Sequence, residues 1–160
     1  MLKVTIIAVG KLKEKYLKDA SDEYCKRLGG YCNLEIVEME PQKLPPKPTD
    51  GQIAAALESE GERILKKIPA GAKVISLCIE GVRYTSEKLS ELITNTAVNG
   101  YSGMTFIIGG SYGLSGKVKQ RSDIRLSMSD MTFPHQLARI MLLEQIYRAF
   151  TIAEGSRYHK

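Results

Sequence analysis

Five short apolar runs, separated by segments with helical spacing, constrain the fold of this chain more than any other feature of its sequence. The runs cover residues 2–9, 34–39, 74–79, 104–108 and 124–128. The third run is almost entirely apolar, as expected of a parallel strand that is buried on both faces. The segment Pro41–Gly51 contains four prolines and is predicted to be a loop. A helical pattern follows each run; we expect Ser86 to cap the third helix, and the last helix to follow Pro134 and to end near Phe150. This βαβαβαβαβα order predicts an α/β fold with a mostly parallel sheet and helices on both faces.

The chain length limits the number of domains. The 160 residues, of which 43% are hydrophobic, are enough for one continuous core, so we expect a single domain over residues 1–160. No apolar run approaches the roughly 20 residues that a membrane-spanning helix needs. The run at 2–9 also lacks the charge pattern and cleavage site of a signal peptide. The sequence therefore predicts a cytoplasmic protein with no membrane partner.

Charge and cysteine content narrow the function only slightly. The net charge is +5, and the excess of Lys and Arg lies in the first 31 and the last 50 residues. Basic ends favour an encounter with a polyanion, although many ordinary enzymes carry such a charge. Cys25, Cys32 and Cys78 form no CxxC pair and have no zinc spacing, so we expect reduced structural thiols and no metal site.

A glycine-rich segment, Gly109–Gly116, follows the fourth apolar run. Glycines at the end of a strand let the backbone approach a ligand closely, and ligands of parallel sheets bind beyond the carboxyl ends of the strands. The segment matches neither GxGxxG nor GxxxxGK[ST], which argues against a dinucleotide site and an ATP P-loop. A ligand loop and a simple strand-to-helix turn both remain open.

Small polar and apolar residues then follow the fifth run, as Ser129-Asp-Met-Thr-Phe-Pro-His135. Their backbone donors and their Met and Phe side chains suit a nucleoside that carries a thioether. Pro at a helix start is ordinary, and His135 is equally consistent with a residue that merely caps the helix.

The last helix and the tail contain the remaining candidates. Glu144 and Arg148 are four residues apart and can pair on one helix face, and the apolar content of this helix suggests burial against a partner. The chain ends in Arg157-Tyr-His-Lys160, residue types that suit phosphate and base contacts, although tails are often disordered.

Taken together, the motifs resemble those of one family. They are AVGKLKEKY at 8–16, SEGERIL at 59–65, FIIGGSYGLS at 106–115, LSMSDMTFPHQLARIMLLEQIYRAF at 126–150, and the terminal YHK. The chain is similar from end to end to the RlmH-type 23S rRNA pseudouridine N3-methyltransferases of the SPOUT class. This resemblance implies an α/β knot, in which the C-terminal segment threads through a loop and forms a trefoil knot.

The resemblance also implies a cofactor site and partners. S-adenosyl-L-methionine would be held by the loops of the knot, and no metal would be needed. The implied cofactor contacts are Leu77, Gly109, Met128, Ser129, Asp130, Met131, Thr132 and Phe133. The chain would form a homodimer with the site at the interface, and its partner would be the 23S rRNA of the assembled ribosome.

Methyl transfer to N3 of pseudouridine requires removal of the N3 proton. We hypothesise that His159 aids this deprotonation, that Arg148 stabilises the developing charge or binds phosphate, and that Tyr158 stacks on or positions the base. Two other functions stay open: a knotted methyltransferase that acts on tRNA, and a ribosome-binding protein without catalytic activity.

Overall fold

Ten helices and strands alternate along the chain, and the computed structural model describes all residues, 1–160. Their bounds are β1 Lys3–Val9, α1 Lys15–Leu28, β2 Asn33–Met39, α2 Asp50–Lys67, β3 Ala72–Arg83, α3 Ser86–Val98, β4 Gly103–Ile108, α4 Gly116–Arg121, β5 Ile124–Ser127 and α5 His135–Ala153. The strands form one sheet in the order β2-β1-β4-β3-β5, and every neighbouring pair is parallel. The predicted α/β class is therefore confirmed.

Helices cover both faces of this sheet because alternate side chains of the central strands point to opposite sides. Ile6 of β1 packs in the cluster that contains α1, α3 and α5 residues, whereas the adjacent Ile7 packs in the cluster that contains α2 and α4 residues. Both side chains are fully buried. The same alternation at Phe106 and Ile107 of β4 explains why the central strands read as continuous apolar runs.

Several predicted bounds were wrong by a few residues, each for a local reason. Thr85, not Ser86, caps α3, because its hydroxyl accepts a hydrogen bond from the Lys88 amide at 3.1 Å. Pro134 is the N-cap of α5, which begins at His135 and extends to Ala153 rather than ending near Phe150. The proline-rich segment is irregular as predicted, and α2 begins directly after the capping box of Thr49 and Gln52.

The largest difference concerns β3. The apolar pattern predicted that this strand ends at Ile79, whereas it continues to Arg83. Both Leu77 and Val82 pair with Leu126 of β5, so residues 78–81 bulge out of the ladder. Polar Glu80 and Gly81 interrupt the apolar pattern at the bulge, which is why the pattern missed the end of the strand. The bulge lies at the edge of the main cleft described below.

None of the five helices combines the length and the hydrophobicity that spanning a membrane requires.

Candidate active site

A cleft of about 820 Å³ lies beyond the carboxyl ends of β3, β4 and β5. Its volume falls within the roughly 300–1,000 Å³ that is usual for small-molecule sites. We call it the main cleft. The predicted cofactor residues that line it are Leu77, Gly109, Met128, Ser129, Met131, Thr132 and Phe133. Three segments far apart in the sequence therefore meet at the edge of the sheet where a ligand is predicted to bind.

The bulge of β3 forms one wall of the main cleft. Leu77, Cys78, Ile79 and Glu80 line it. At Gly81, a Cβ atom would lie 2.5 Å from the carbonyl oxygen of Arg125, so only glycine allows the two strands to rejoin there. The resemblance predicted Leu77, and the end of the third apolar run at Glu80-Gly81 predicted a ligand position there. No pattern indicated Cys78 and Ile79, because a bulge has no apolar periodicity.

The glycine loop, residues 109–116, forms a second wall. The Gly113 amide donates a hydrogen bond to the Gly110 carbonyl at 3.1 Å, and Gly113 has a φ of +84°, which favours glycine. A Cβ atom on Gly109 would overlap the backbone of Gly113. The loop thus folds back on itself, and glycine is required at both positions.

The 128–134 loop forms the third wall, and serine side chains hold its shape. Ser127 donates from Oγ to the Ser129 carbonyl at 3.0 Å, and the Met131 amide donates to Ser129 Oγ at 3.0 Å. Asp130 is not among the lining residues. Its carboxylate accepts a hydrogen bond from Arg83 Nη1 at 3.0 Å and ties this loop to the end of β3.

His135 lines the main cleft at the start of α5, and its side chain forms no hydrogen bond within the chain. Its Nε2 would lie 3.3 Å from a Cβ on Gly10, whose φ is +105°. Burial, together with the nearby charges of Arg139 and Lys13, lowers the pKa of His135. The imidazole is therefore neutral at pH 7.

Arg139 holds this end of α5 against the sheet. Its side chain is 4% exposed; Nη1 lies 2.6 Å from Glu38 Oε2, and Nη2 donates to the Gly10 carbonyl at 3.0 Å. The helix start that carries His135 is thereby fixed to the ends of β1 and β2. No motif indicated a role for Arg139. Its position one helical turn after His135 places both side chains on the same face of α5, which could have indicated that they lie together.

The predicted catalytic residues Arg148, Tyr158 and His159 form a second cluster around Glu144. Arg148 contacts the Glu144 carboxylate through Nε and Nη2 at 3.1–3.2 Å, as expected from their spacing. The Tyr158 hydroxyl donates to Glu144 Oε2 at 3.2 Å, and the ring packs edge-on against Tyr147 with a centroid distance of 4.8 Å. Burial, followed by the Glu144 charge, raises the pKa of Tyr158 to about 12.

Both ring nitrogens of His159 are engaged. Arg148 Nη1 lies 3.1 Å from Nδ1, and Glu87 Oε1 lies 2.7 Å from Nε2. A guanidinium can only donate, so Nδ1 accepts and Nε2 carries the proton that is donated to Glu87. Glu87 is a contact that no pattern in the sequence indicated.

The two clusters lie apart within one chain, since none of Arg148, Tyr158 and His159 lines the main cleft. A cavity of about 380 Å³ lies between them, lined by Glu144 on one side and sharing Leu126 and Met128 with the main cleft on the other. The main cleft is also bordered by large exposed apolar side chains, with Met131 74% and Tyr112 51% exposed. Such side chains typically contact a ligand or a partner.

Comparison with known proteins identifies the family. Residues 2–159 match the family described as "Predicted SPOUT methyltransferase". The chain is 52% identical to the ribosomal RNA large subunit methyltransferases H of Streptococcus mutans and of Clostridium perfringens strain 13, over 99% of this chain and 100% of each relative. The structure is similar to that of a probable methylase family protein from Haemophilus influenzae, with a TM-score of 0.53 and 14% identity over 98% of this chain and 70% of that one, a likeness of fold alone. This protein belongs to the SPOUT methyltransferase family.

Proposed function

We propose that this protein transfers a methyl group from S-adenosyl-L-methionine to N3 of a pseudouridine in 23S rRNA, acting as a cytoplasmic homodimer on the assembled ribosome. The observation that carries the proposal is the main cleft, where seven of the eight residues that the resemblance assigned to the cofactor converge. Membership of the SPOUT family implies a methyltransferase with a C-terminal knot. The names of the relatives supply the rRNA substrate class.

The residues of the main cleft fit S-adenosyl-L-methionine. Eleven of its 21 lining residues are hydrophobic, which suits the faces of an adenine and a thioether chain. The glycine loop and the 128–134 loop line the same cleft, and Ser111, Ser129 and Thr132 among their residues suit the polar edges of a nucleoside. When bound, the cofactor supplies an electrophilic methyl group on a sulfonium. Asp130 contributes to the site by fixing the loop through Arg83.

The tail cluster is suited to handle the target base. Arg148 supplies a permanent positive charge that can stabilise the anion formed when N3 loses its proton. Tyr158 offers an aromatic ring and a hydroxyl that stays protonated at neutral pH. For His159 to take the N3 proton, its Nδ1 must leave Arg148, because that lone pair is occupied within the chain.

A homodimer explains why the two clusters lie apart. The tail of one protomer would face the main cleft of the other, so that the site is completed only at the interface. The exposed apolar residues Met131 and Tyr112 at the main cleft, together with Leu137 on α5, support this arrangement. Burial of these side chains would contribute about 25 cal/mol for each Å² of apolar surface removed from water.

The test is methyl transfer from labelled S-adenosyl-L-methionine to assembled ribosomes, separated large subunits, free rRNA and tRNA from a strain that lacks the protein. We expect label in 23S rRNA of assembled ribosomes, at one nucleotide identified by mass spectrometry. Ribosomes that carry uridine instead of pseudouridine at this nucleotide are the matched control. Label confined to tRNA would contradict the rRNA proposal, and binding to ribosomes without any transfer would favour a non-catalytic role.

A further inference from the structure

A second, smaller pocket adjoins the main cleft on the side of α2. It has a volume of about 140 Å³, room for several water-sized groups. We call it the side pocket. It is lined by residues of the proline segment and α2, and it shares Gly110, Ser111, Tyr112 and His135 with the main cleft. A ligand in the main cleft can therefore extend into the side pocket past the glycine loop.

Glu60 is the only acidic residue among those that line the side pocket. Glu60 is only 8% exposed. Such burial is rare for a carboxylate that has no partner of opposite charge. No Lys, Arg or His nitrogen lies within 4.0 Å of it, since every ion pair of the chain involves other residues. The SEGERIL motif that contains Glu60 has no role in the proposed chemistry.

The hydrogen bonds of Glu60 leave one oxygen available. Oε2 accepts a hydrogen bond from the Gln42 amide at 2.8 Å, which fixes the carboxylate. Oε1 accepts none and is not one of the two buried, unpartnered polar atoms of the chain, which belong to Thr5 and Thr105. A fixed carboxylate with one accessible oxygen at a small pocket is suited to bind a cation.

The next residue, Gly61, explains how the carboxylate comes so close to the glycine loop. A Cβ atom at Gly61 would overlap the side chain of Ser115, which lies near the end of that loop and caps α4. The missing side chain lets α2 pack tightly against this segment. The backbone of α2 is thus placed so that Glu60 lines a pocket beside the main cleft.

We propose that the side pocket is an ammonium subsite, in which Glu60 binds the α-ammonium group of the methyl donor whose nucleoside lies in the main cleft. This inference rests on the proposed function, because it names how one end of that cofactor is recognised. A charged hydrogen bond to a buried carboxylate would compensate the unpaired charge of Glu60. The same contact would let the protein discriminate between the methyl donor and nucleosides that lack an amino acid chain.

The test is calorimetric binding of three ligands that differ only in their chain. S-adenosylhomocysteine has an ammonium and a carboxylate, its decarboxylated form has the ammonium alone, and 5′-methylthioadenosine has neither. Glu60→Gln keeps an oxygen for the Gln42 amide and removes the charge. We expect it to weaken binding of the two amines by about tenfold to a hundredfold, and to leave methylthioadenosine binding within about twofold.

Glu62→Gln is the matched control, because it removes a charge from an exposed position of the same helix. Equal losses for all three ligands in Glu60→Gln would show a merely structural role and overturn the inference. Unchanged amine binding would overturn it while leaving the proposed function intact, whereas a wild-type protein that binds none of the ligands would overturn both. The wild-type protein gives a second measurement that needs no variant: the decarboxylated amine must bind at least about tenfold more tightly than methylthioadenosine.

Discussion

His159 and Glu87, 72 residues apart in the sequence, are joined by a hydrogen bond of 2.7 Å between Nε2 and Oε1. Glu87 lies in the first turn of α3, and the other ring nitrogen of His159 contacts Arg148 of α5. The tail is therefore fixed between two helices. A side chain that is proposed to act on a substrate base is held in place by groups of its own chain.

Glu87→Gln should loosen the tail. Its own backbone amide and His159 both lower the pKa of Glu87 from the ordinary value of 4.5. A lowered pKa means that the charged contact stabilises the docked tail above pH 4.5 and is lost as the pH falls through the folded-state value. We expect carboxypeptidase to remove the last residues faster from Glu87→Gln, and faster from the wild type in acid. Glu91→Gln, an exposed change on the same helix, should have no such effect.

Tyr158→Phe should change the response of the protein to alkali. Since burial and Glu144 raise the pKa of Tyr158 from 10.0 to about 12, the folded state keeps this proton where the unfolded chain releases it. The stabilisation is complete below pH 10 and is lost as the pH rises towards 12. Urea unfolding between these pH values should show a smaller loss of stability for Tyr158→Phe than for the wild type. Equal slopes would contradict the partly buried position of the phenol.

Gly109→Ala should abolish most cofactor binding, because the new Cβ overlaps the Gly113 backbone and forces the glycine loop open. We expect affinity for S-adenosylhomocysteine to fall at least about tenfold by calorimetry, the effect of losing roughly one well-placed interaction. Gly116→Ala is the matched control within the same loop, since no atom lies within 4 Å of its added Cβ. If both variants bind alike, the loop does not form part of the cofactor site.

The sequence predicted the fold well because the determinants are local and periodic. Continuous apolar runs such as that of β4, between amphipathic helices, identify buried parallel strands without knowledge of their neighbours. The order of the strands in the sheet and the bulge at residues 78–81 were beyond this reasoning. The order depends on pairs between strands far apart in the chain, such as β1 with β4, and the bulge depends on the pairing of β3 with β5. Such long-range pairs leave no periodic pattern in the sequence.

The candidate site was predictable only in its parts. Glycines at the end of a strand indicated the wall at Gly109, and the resemblance supplied the residues of the 128–134 loop. Neither approach indicated that Asp130 turns away to Arg83, that Glu87 holds His159, or that Glu60 is buried without a cation. These contacts join residues that are far apart in the sequence, and a single sequence does not show which distant residues lie close together in the fold.

Arg139→Ala should destabilise the protein by about 3 kcal/mol, because it leaves Glu38 and the Gly10 carbonyl without their buried partner. Urea unfolding at pH 7 measures this change. Lys3→Ala is the control, since it breaks an ion pair between Lys3 and Glu35 in which the two side chains are 49% and 56% exposed. This change should lower the free energy of unfolding by less than about 1 kcal/mol. Comparable effects of the two changes would mean that Arg139 does not fix α5 to the sheet.

Leu137→Lys should dissociate the proposed homodimer. Leu137 is 41% exposed on the first turn of α5, beside the main cleft, and a lysine there would place a charge in an apolar interface. Sedimentation velocity should show the wild type as a dimer and Leu137→Lys as a monomer at the same concentration, with unfolding temperatures compared to exclude misfolding. Val98→Lys is the matched control. Val98 is the last residue of α3, is 77% exposed, and lines neither the main cleft nor the side pocket. A dimer unaffected by Leu137→Lys would place Leu137 outside the interface, whereas a monomeric wild type would require the tail cluster and the main cleft of one chain to meet by a rearrangement within that chain.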